Sequence, residues 1–187
     1  MEWIYWLGSY LLGTFLTAFI IAKSKGIDLS KEGSGNFGAR NIGRVVGKWA
    51  FVVTMFGDAL KGAIVVVIGY LLGFSMTTVV VGLIFCVLGH VYPFWRKFKG
   101  GKGVATGIGG LLFVMPLAIF LLAVGFLIVV LFTKSSTKGM LGAFAVYMGY
   151  FIYEWRSASI AVFIVIFLVL WANRENIAEK YVQPKSE

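Results

Sequence analysis

Residues 103–133 read GVATGIGGLLFVMPLAIFLLAVGFLIVVLFT, and none of these 31 residues is charged. One helix needs about 20 residues to cross a bilayer, so this run forms either one long tilted helix or two short helices that turn near Pro116. The number of crossings decides on which side of the membrane every later segment lies. Because basic residues concentrate on the cytoplasmic side, the cations that follow the run favour two helices.

The rest of the chain has the same apolar character. Of its 187 residues 59% are hydrophobic and only 13% are charged, against roughly 25% in soluble domains. We therefore predict an all-α integral membrane protein, one membrane-embedded domain over residues 1–187 with its N-terminus outside and its C-terminus in the cytoplasm. Seven spans are predicted, at residues 3–22, 49–72, 75–95, 103–115, 117–133, 139–153 and 157–172.

The basic residues support this orientation. All 17 Lys and Arg residues except Lys61 and Arg156 fall on the cytoplasmic side, which explains the net charge of +9 better than nucleic-acid binding does. The first span follows Glu2 instead of a basic segment and precedes no clear small-residue cleavage site, so we expect a retained span and not a signal peptide. Cys86, the single cysteine, is expected to be a small buried apolar residue.

Two opposite charges interrupt the second span. Asp58 and Lys61 lie three residues apart on one helical face, so they can neutralise each other inside the membrane. We predict that they pair. Such a pair serves structure alone or belongs to a functional site, and both alternatives stay open at this point.

The polar segment after the first span contains the glycine-rich stretch GSGNFGARN, residues 33–41. Glycine lets backbone N–H groups converge on an anion, and Ser34 and Asn36 add hydroxyl and amide donors. Arg44 follows closely, and an arginine can grip two phosphate oxygens at once. The stretch therefore predicts a phosphate clamp, whose glycines are Gly33, Gly35 and Gly38.

A second glycine-rich stretch, FKGGKGVAT at residues 98–106, leads into the charge-free run. Lys102 lies among glycines, and the helix that begins after them directs its N-terminal N–H groups and its dipole at an anion. The stretch is not a nucleotide-binding P-loop, because Gly103 follows Lys102 where that motif requires Ser or Thr. Two such loops on one membrane face indicate chemistry on phosphorylated, lipid-linked substrates.

Polar residues also stand at two helix ends. His90, in GHVYP at residues 89–93, is the only histidine; it can carry a proton, orient a partner by a hydrogen bond, or simply pack. It has no Cys or carboxylate companions, so no metal site is predicted. NRENI, residues 173–177, ends the last apolar helix and brings amide and charged groups to the loop side, or it is an ordinary end of a final span.

Together these motifs resemble those of a known family. GSGNFGARN, GHVYP with FKGGKGVAT, and RENI are similar to the three motifs of the bacterial acyl-phosphate-dependent glycerol-3-phosphate acyltransferases, the PlsY family. The resemblance covers essentially the whole chain. It implies an enzyme of phospholipid synthesis in the bacterial inner membrane, which transfers a fatty acyl group from acyl phosphate to the 1-hydroxyl of sn-glycerol 3-phosphate, with its site facing the cytoplasm and without a cofactor.

The resemblance also implies roles for individual residues. The catalytic set would be Ser34, Arg44, Lys102 and Asn176, with Asn176 positioning the glycerol end. Substrate or phosphate binding would involve Gly33, Gly35, Asn36, Gly38, Asn41, His90, Lys99, Gly100, Gly101, Gly103, Thr106 and Thr137. The expected partners are acyl phosphate, glycerol 3-phosphate and membrane lipids, and not nucleic acid. A monomer is the simplest expectation for the oligomeric state.

The predicted chemistry needs no catalytic dyad. An acyl phosphate is already activated, so the enzyme mainly holds the hydroxyl against the carbonyl and stabilises developing charge. We hypothesise that a substrate phosphate oxygen accepts the hydroxyl proton while Lys102 and Arg44 stabilise the anions.

Three departures from the family pattern keep other functions open. Arg-His usually precedes Arg-Glu-Asn, whereas this chain has Ala172-Asn173; a serine-rich loop is replaced by STKGM at residues 136–140, where Thr137 retains one hydroxyl; and Arg40 replaces a threonine. The alternatives are a paralogue of the same fold with another acyl acceptor, or a non-catalytic binder or transporter of phosphorylated lipids. A transporter needs a polar path, and only Asp58 and Lys61 interrupt the spans.

Overall fold

A computed structural model of the chain describes residues 2–114, 118–153 and 159–174. Within these ranges the protein consists of α-helices, loops and one 3-10 turn at Phe94–Arg96, without a strand, so the all-α prediction is confirmed for them. The helices are α1 (Glu2–Gly13), α2 (Thr17–Ser24), α3 (Ala39–Val45), α4 (Lys48–Leu71), α5 (Met76–Val91), α6 (Val104–Val114), α7 (Ala118–Thr133), α8 (Ser136–Tyr153) and α9 (Ser159–Ala172).

Helix α5 occupies the centre of the bundle. It packs against α1, α4, α6 and α9, while α4 also contacts α3 and α6, and α7 packs on α8. The side chains of Val79, Val80, Leu83 and Val87 in α5 are completely buried and belong to a core shared with α4, α6, α8 and α9. A second apolar cluster joins α2 and α3 to the loop between them and contains Phe37. Because Phe37 is a residue of the first glycine-rich loop, this cluster anchors that loop to α2 and α3.

Three helical segments are long and apolar enough to cross a membrane: Glu2–Ser24, Lys48–Leu71 and Met76–Arg96. Shorter apolar helices occur at Val104–Val114, Ala123–Thr133 and Val162–Ala172. All of these segments coincide with predicted spans. The charge-free run is divided between α6 and α7, and the predicted turn near Pro116 lies outside the described residues. The number of crossings and the sides of the termini stay predictions.

The first predicted span differs from the expected single helix. Helix α1 ends at Gly13 and α2 begins at Thr17. Lys61 Nζ donates to Gly13 O at 3.1 Å and to Phe15 O at 2.8 Å. Carbonyl groups at the end of a helix have no hydrogen-bond partner within it, and the lysine supplies one here. A side chain of α4 thus satisfies the carbonyl groups at the break, and no local pattern in the first span predicts this contact.

Helix α8 also begins earlier than predicted, at Ser136 instead of residue 139. The hydroxyl of Ser135 accepts a hydrogen bond from Lys138 N at 3.2 Å. A serine in this position satisfies one of the free N–H groups of a first turn, and this stabilises the longer helix.

Glycines allow α4 and α6 to approach closely. A Cβ atom on Gly62 of α4 would collide with the carbonyl oxygen of Thr106, and one on Gly109 of α6 would collide with that of Ala59. Small residues at helix contacts are a common means of packing in membranes. Here the contact brings the beginning of α6, and with it the second glycine-rich loop, beside the part of α4 that carries Lys61.

Candidate active site

The first glycine-rich loop, residues 33–41, is shaped from within by Asn41. This side chain is 1% exposed; its Oδ1 accepts a hydrogen bond from Ser34 N at 2.9 Å, and its Nδ2 donates to Glu32 O at 3.0 Å. Gly33 has a φ of 57° and leaves no room for a Cβ atom beside the Asn41 amide. The amide of Asn41 is therefore engaged by the loop backbone and holds it in one shape.

Polar side chains of the same loop and of α3 remain available to a ligand. Ser34 and Arg44 are exposed, and Arg40 lies four residues before Arg44 on the same face of α3. The hydroxyl of Ser30 donates to Asp28 at 2.6 Å and holds the pKa of that carboxyl below its usual range. Among the described residues Asp28 pairs with Lys31 and with neither arginine of α3, so both guanidinium groups can meet an anion.

The second loop folds back onto the end of α5. Gly100 N donates to Val91 O and Gly101 N donates to His90 O, both at 3.0 Å. A Cβ atom on Gly101 would collide with the His90 ring, so glycine is required here by this close approach. Gly103 follows with a φ of 74° immediately before α6. Lys102, between these two glycines, is half-buried.

The structure brings the two loops into direct contact. Phe37 N of the first loop donates to Gly100 O of the second at 3.4 Å, and Asn36 Nδ2 approaches the same oxygen at 3.5 Å. The guanidinium carbon of Arg96 lies 4.5 Å from the centre of the Phe37 ring, which adds a cation–π contact between the two segments. The two loops that are predicted to bind anions thus meet at one place.

The end of α9 reaches the second loop. Asn173 is 5% exposed, and its Nδ2 donates to Val169 O at 2.7 Å and to Lys102 O at 3.3 Å. Val169 also faces the space beside Gly103, where an added Cβ atom would contact it. Sequence reasoning placed Asn173 in the polar segment that ends the last apolar helix and noted it as a departure from the family pattern, but it assigned the side chain no partner. Its spacing of four residues from Val169, on the buried face of the helix, was the signal that it points into the protein.

The predicted pairing of Asp58 with Lys61 is confirmed. Lys61 Nζ lies 3.2 Å from Asp58 Oδ1, and both side chains are buried. The same ammonium lies 2.7 Å from His90 Nδ1. His90, predicted from sequence to bind substrate, is itself 2% exposed and stands between this ion pair and Gly101 of the second loop.

The remaining predicted residues lie in different surroundings. Lys99 is exposed on the second loop. Thr106 is completely buried in α6, and its hydroxyl has no hydrogen-bond partner within the described part of the chain. Thr137 is buried in the first turn of α8, and the described hydrogen bonds do not join it to either loop. Asn176 lies outside the described residues.

Comparison with known proteins identifies the family. The family model described as Glycerol-3-phosphate acyltransferase matches residues 3–181, nearly the whole chain. The chain belongs to the glycerol-3-phosphate acyltransferase family. Two members of the family show the extent of the similarity. Glycerol-3-phosphate acyltransferase 1 of Bacillus cereus is 45% identical over 180 residues, which are 94% of this chain and 98% of that protein. Glycerol-3-phosphate acyltransferase of Bacillus subtilis is 37% identical over 172 residues, 90% of this chain and 88% of the relative.

Solved structures of the same family share the fold. The crystal structure of PlsY, an integral membrane glycerol 3-phosphate acyltransferase, in its glycerol 3-phosphate form superposes with a TM-score of 0.88 at 30% identity. The superposition covers 97% of this chain and 92% of the PlsY chain. The lysophosphatidic acid form of PlsY gives a TM-score of 0.86. The resemblance to the PlsY family and the helical membrane fold are therefore confirmed.

Proposed function

We propose that this protein transfers a fatty acyl group from acyl phosphate to the 1-hydroxyl of sn-glycerol 3-phosphate, giving lysophosphatidic acid and inorganic phosphate. The reaction takes place on the cytoplasmic face of a bacterial inner membrane, which the chain crosses seven times, and uses no cofactor. Family membership supports the acyl transfer and its acceptor. The contact of the two loops at Gly100 is the observation that carries the assignment of the site.

The two loops fit the two substrates. One substrate has a phosphate head and the other a phosphate leaving group, so the reaction needs two anion sites placed so that the 1-hydroxyl of the first substrate reaches the carbonyl carbon of the second. In this proposal Ser34, Asn36 and Arg44 hold one phosphate, and Lys102 with the glycine N–H groups of its loop holds the other. Asn176 positions the glycerol end. The supporting members of the site are His90, Lys99, Thr106 and Thr137.

The chemical step follows from this arrangement. The 1-hydroxyl oxygen attacks the carbonyl carbon of acyl phosphate and forms the ester C–O bond. The bond from that carbon to the phosphate oxygen breaks, and phosphate leaves with the bonding electrons. A phosphate oxygen of the substrate takes the hydroxyl proton, so no protein base is required. Lys102 and Arg44 stabilise the anions, and the rate gain comes from positioning and from preorganised charge.

The direct test uses the full chain in lipid nanodiscs with palmitoyl phosphate and glycerol 3-phosphate. Release of phosphate and formation of lysophosphatidic acid are measured for the wild type, for Lys102→Ala and for the control Lys31→Ala, which removes an exposed cation outside the proposed site. We expect Lys102→Ala to lower kcat/KM by roughly 10²-fold, the effect of losing one preorganised charge partner, and Lys31→Ala to match the wild type. Full activity of Lys102→Ala at neutral pH would contradict the mechanism.

One observation favours testing a second acceptor. Asn173 fills, with an amide tied to Lys102 O, the position where the resemblance leads us to expect histidine. Parallel assays with other phosphorylated acceptors, and with acyl-CoA and acyl carrier protein as donors, identify a paralogue of different specificity. Binding of glycerol 3-phosphate without any product would instead support the non-catalytic alternative.

A further inference from the structure

A buried polar cluster lies beneath the second loop, formed by Asp58, Lys61 and His90. The side chains of Lys61 and Asp58 are 5% and 3% exposed, and that of His90 is 3% exposed. Charged side chains inside a membrane are costly, and apolar residues at both positions 58 and 61 would avoid this cost. The cluster therefore calls for a role that an apolar side chain could not fill.

The hydrogen bonds of Lys61 determine the state of His90. An ammonium group has three protons and no acceptor. Four acceptors lie within 3.2 Å of it: Gly13 O at 3.1 Å, Phe15 O at 2.8 Å, His90 Nδ1 at 2.7 Å and Asp58 Oδ1 at 3.2 Å. The contact with Nδ1 is the shortest, and the ammonium cannot accept a proton there. Nδ1 must therefore accept, which leaves the proton of a neutral imidazole on Nε2. Lys61 thus selects one tautomer of His90 and fixes the orientation of its ring.

Asp58 makes the cluster electrically neutral. Its Oδ1 lies 3.2 Å from Lys61 Nζ and accepts a hydrogen bond from the Thr17 hydroxyl, also at 3.2 Å. The carboxylate thereby links α4 to the first turn of α2, on the far side of the helix break. One ion pair consequently joins both halves of the broken first span to α4 and, through His90, to α5.

A continuous set of contacts leads from His90 to both loops. The ring occupies the space beside Gly101, and the carbonyl oxygen of His90 accepts from Gly101 N at 3.0 Å. The preceding residue of the loop, Gly100, accepts through its carbonyl oxygen from Phe37 N of the first loop. A displacement of the His90 ring would accordingly move the glycine turn at the point where the two loops meet.

We propose that Lys61 is a positioning residue for the acyl transfer: it holds the break in the first span and the His90 ring in one arrangement, and through His90 it sets the shape of the second loop. The effect on turnover rests on the function proposed above, whereas the effect on His90 does not. Lys61 does not touch substrate in this proposal.

Nitrogen-15 NMR of the imidazole tests the first part directly. The chain has a single histidine, so the full-length protein with a histidine-free affinity tag gives signals from His90 alone. We expect one protonated nitrogen, Nε2, in the wild type, and a mixture of tautomers in Lys61→Met. A wild-type protein protonated on Nδ1, or an unchanged tautomer in Lys61→Met, would overturn the proposal.

Kinetics test the second part and separate positioning from charge balance. Lys61→Met should lower kcat/KM by roughly 10²-fold, as expected when reacting groups are misplaced by about 1 Å. The double variant Asp58→Asn/Lys61→Met leaves no unpaired charge in the cluster. Its kcat/KM tests the positioning role even if the single variant fails to fold. If charge balance were the whole role of Lys61, the double variant would regain wild-type activity, and that result would refute positioning.

A matched control accounts for general loss of stability. Val66→Ala removes a completely buried side chain of the same helix that belongs to the apolar core cluster. It should lower Tm but retain the wild-type tautomer and kcat/KM. If Val66→Ala and Lys61→Met lost the same amount of Tm and showed an equal fall in kcat/KM, that result would count against the proposal. A wild type that is inactive with acyl phosphate would defeat the proposed function and leave the NMR result standing.

Discussion

Replacing Asn173 tests whether α9 holds the second loop in place. In the protein its Nδ2 donates to Val169 O at 2.7 Å, which fixes the side chain on its own helix, and to Lys102 O at 3.3 Å, which ties the loop to that helix. Asn173→Ala removes both donors. Asn173→Asp keeps the shape of the side chain but places a carboxylate oxygen where an N–H group pointed at the two carbonyls.

The expected effect follows from the bond to Lys102. A neutral intramolecular hydrogen bond contributes about 1 kcal/mol net, and 1.4 kcal/mol corresponds to a factor of ten in an equilibrium. Loss of this one bond should therefore reduce the equilibrium constant between the ordered and the displaced loop about fivefold, and about fivefold is the largest fall in kcat/KM that this effect gives for Asn173→Ala. Asn173→Asp should lose more, because the carboxylate repels the carbonyl oxygens. Asn173→His, which restores a ring N–H, should retain more activity than either.

The assay is the initial rate of phosphate release with each substrate varied in turn, together with Tm for every variant. Since Lys102 is assigned to a phosphate, the loss should include a higher KM for a phosphorylated substrate. Wild-type kinetics of Asn173→Asp would refute the reasoning, because that variant preserves the shape of the side chain but replaces the donor by a carboxylate oxygen that repels the two carbonyls. A fall in Tm without any kinetic change would limit Asn173 to a structural role.

Two further substitutions test the loops themselves. Gly101→Ala should lower kcat/KM, because the added methyl group collides with a His90 ring that has no room to move, and overpacking of this kind typically costs about 1–3 kcal/mol. Gly8→Ala, where a Cβ atom meets nothing within 4 Å, is its control, and equal activities of the two variants would contradict the predicted collision. Asn41→Ala should lower Tm and raise the KM for glycerol 3-phosphate, because Ser34 N and Glu32 O each lose a hydrogen bond to the Asn41 side chain, at a net cost of about 1 kcal/mol per bond. Unchanged values from a thermal-shift measurement and from substrate titration would show that Asn41 does not shape the loop.

Helix positions could be predicted from the sequence because lipid offers no partner for backbone N–H and C=O groups. Long uncharged runs must therefore form helices, and each predicted span corresponds to an apolar helix or helix pair among the described residues. The prediction that the loops bind phosphate rested on equally local features. Glycines, cations and small polar side chains within nine residues indicate an anion site without reference to the rest of the chain.

The interruption of the first span could not be predicted in this way. Residues 14–16 contain neither proline nor a charge, and their neighbours are as apolar as those of an unbroken helix. The partner of the released carbonyl groups is Lys61, which is 46 residues from Phe15 in sequence. The spacing in the sequence predicted the pairing of Asp58 with Lys61. It did not predict the contact of Lys61 with His90, because only the packing of α4 against α5 brings these two residues together.

The sequence by itself determined a helical membrane protein with the motifs of a known acyltransferase family, and it predicted that two glycine-rich loops bind phosphate. The tertiary structure decided how these parts meet: Gly100 against Phe37, Asn173 against Lys102, and Lys61 between a broken helix and His90. The physical reason is the range of the interactions. Helix formation and anion binding depend on neighbours in the chain, whereas these contacts join residues more than 25 positions apart and exist only after glycines have let the helices approach closely.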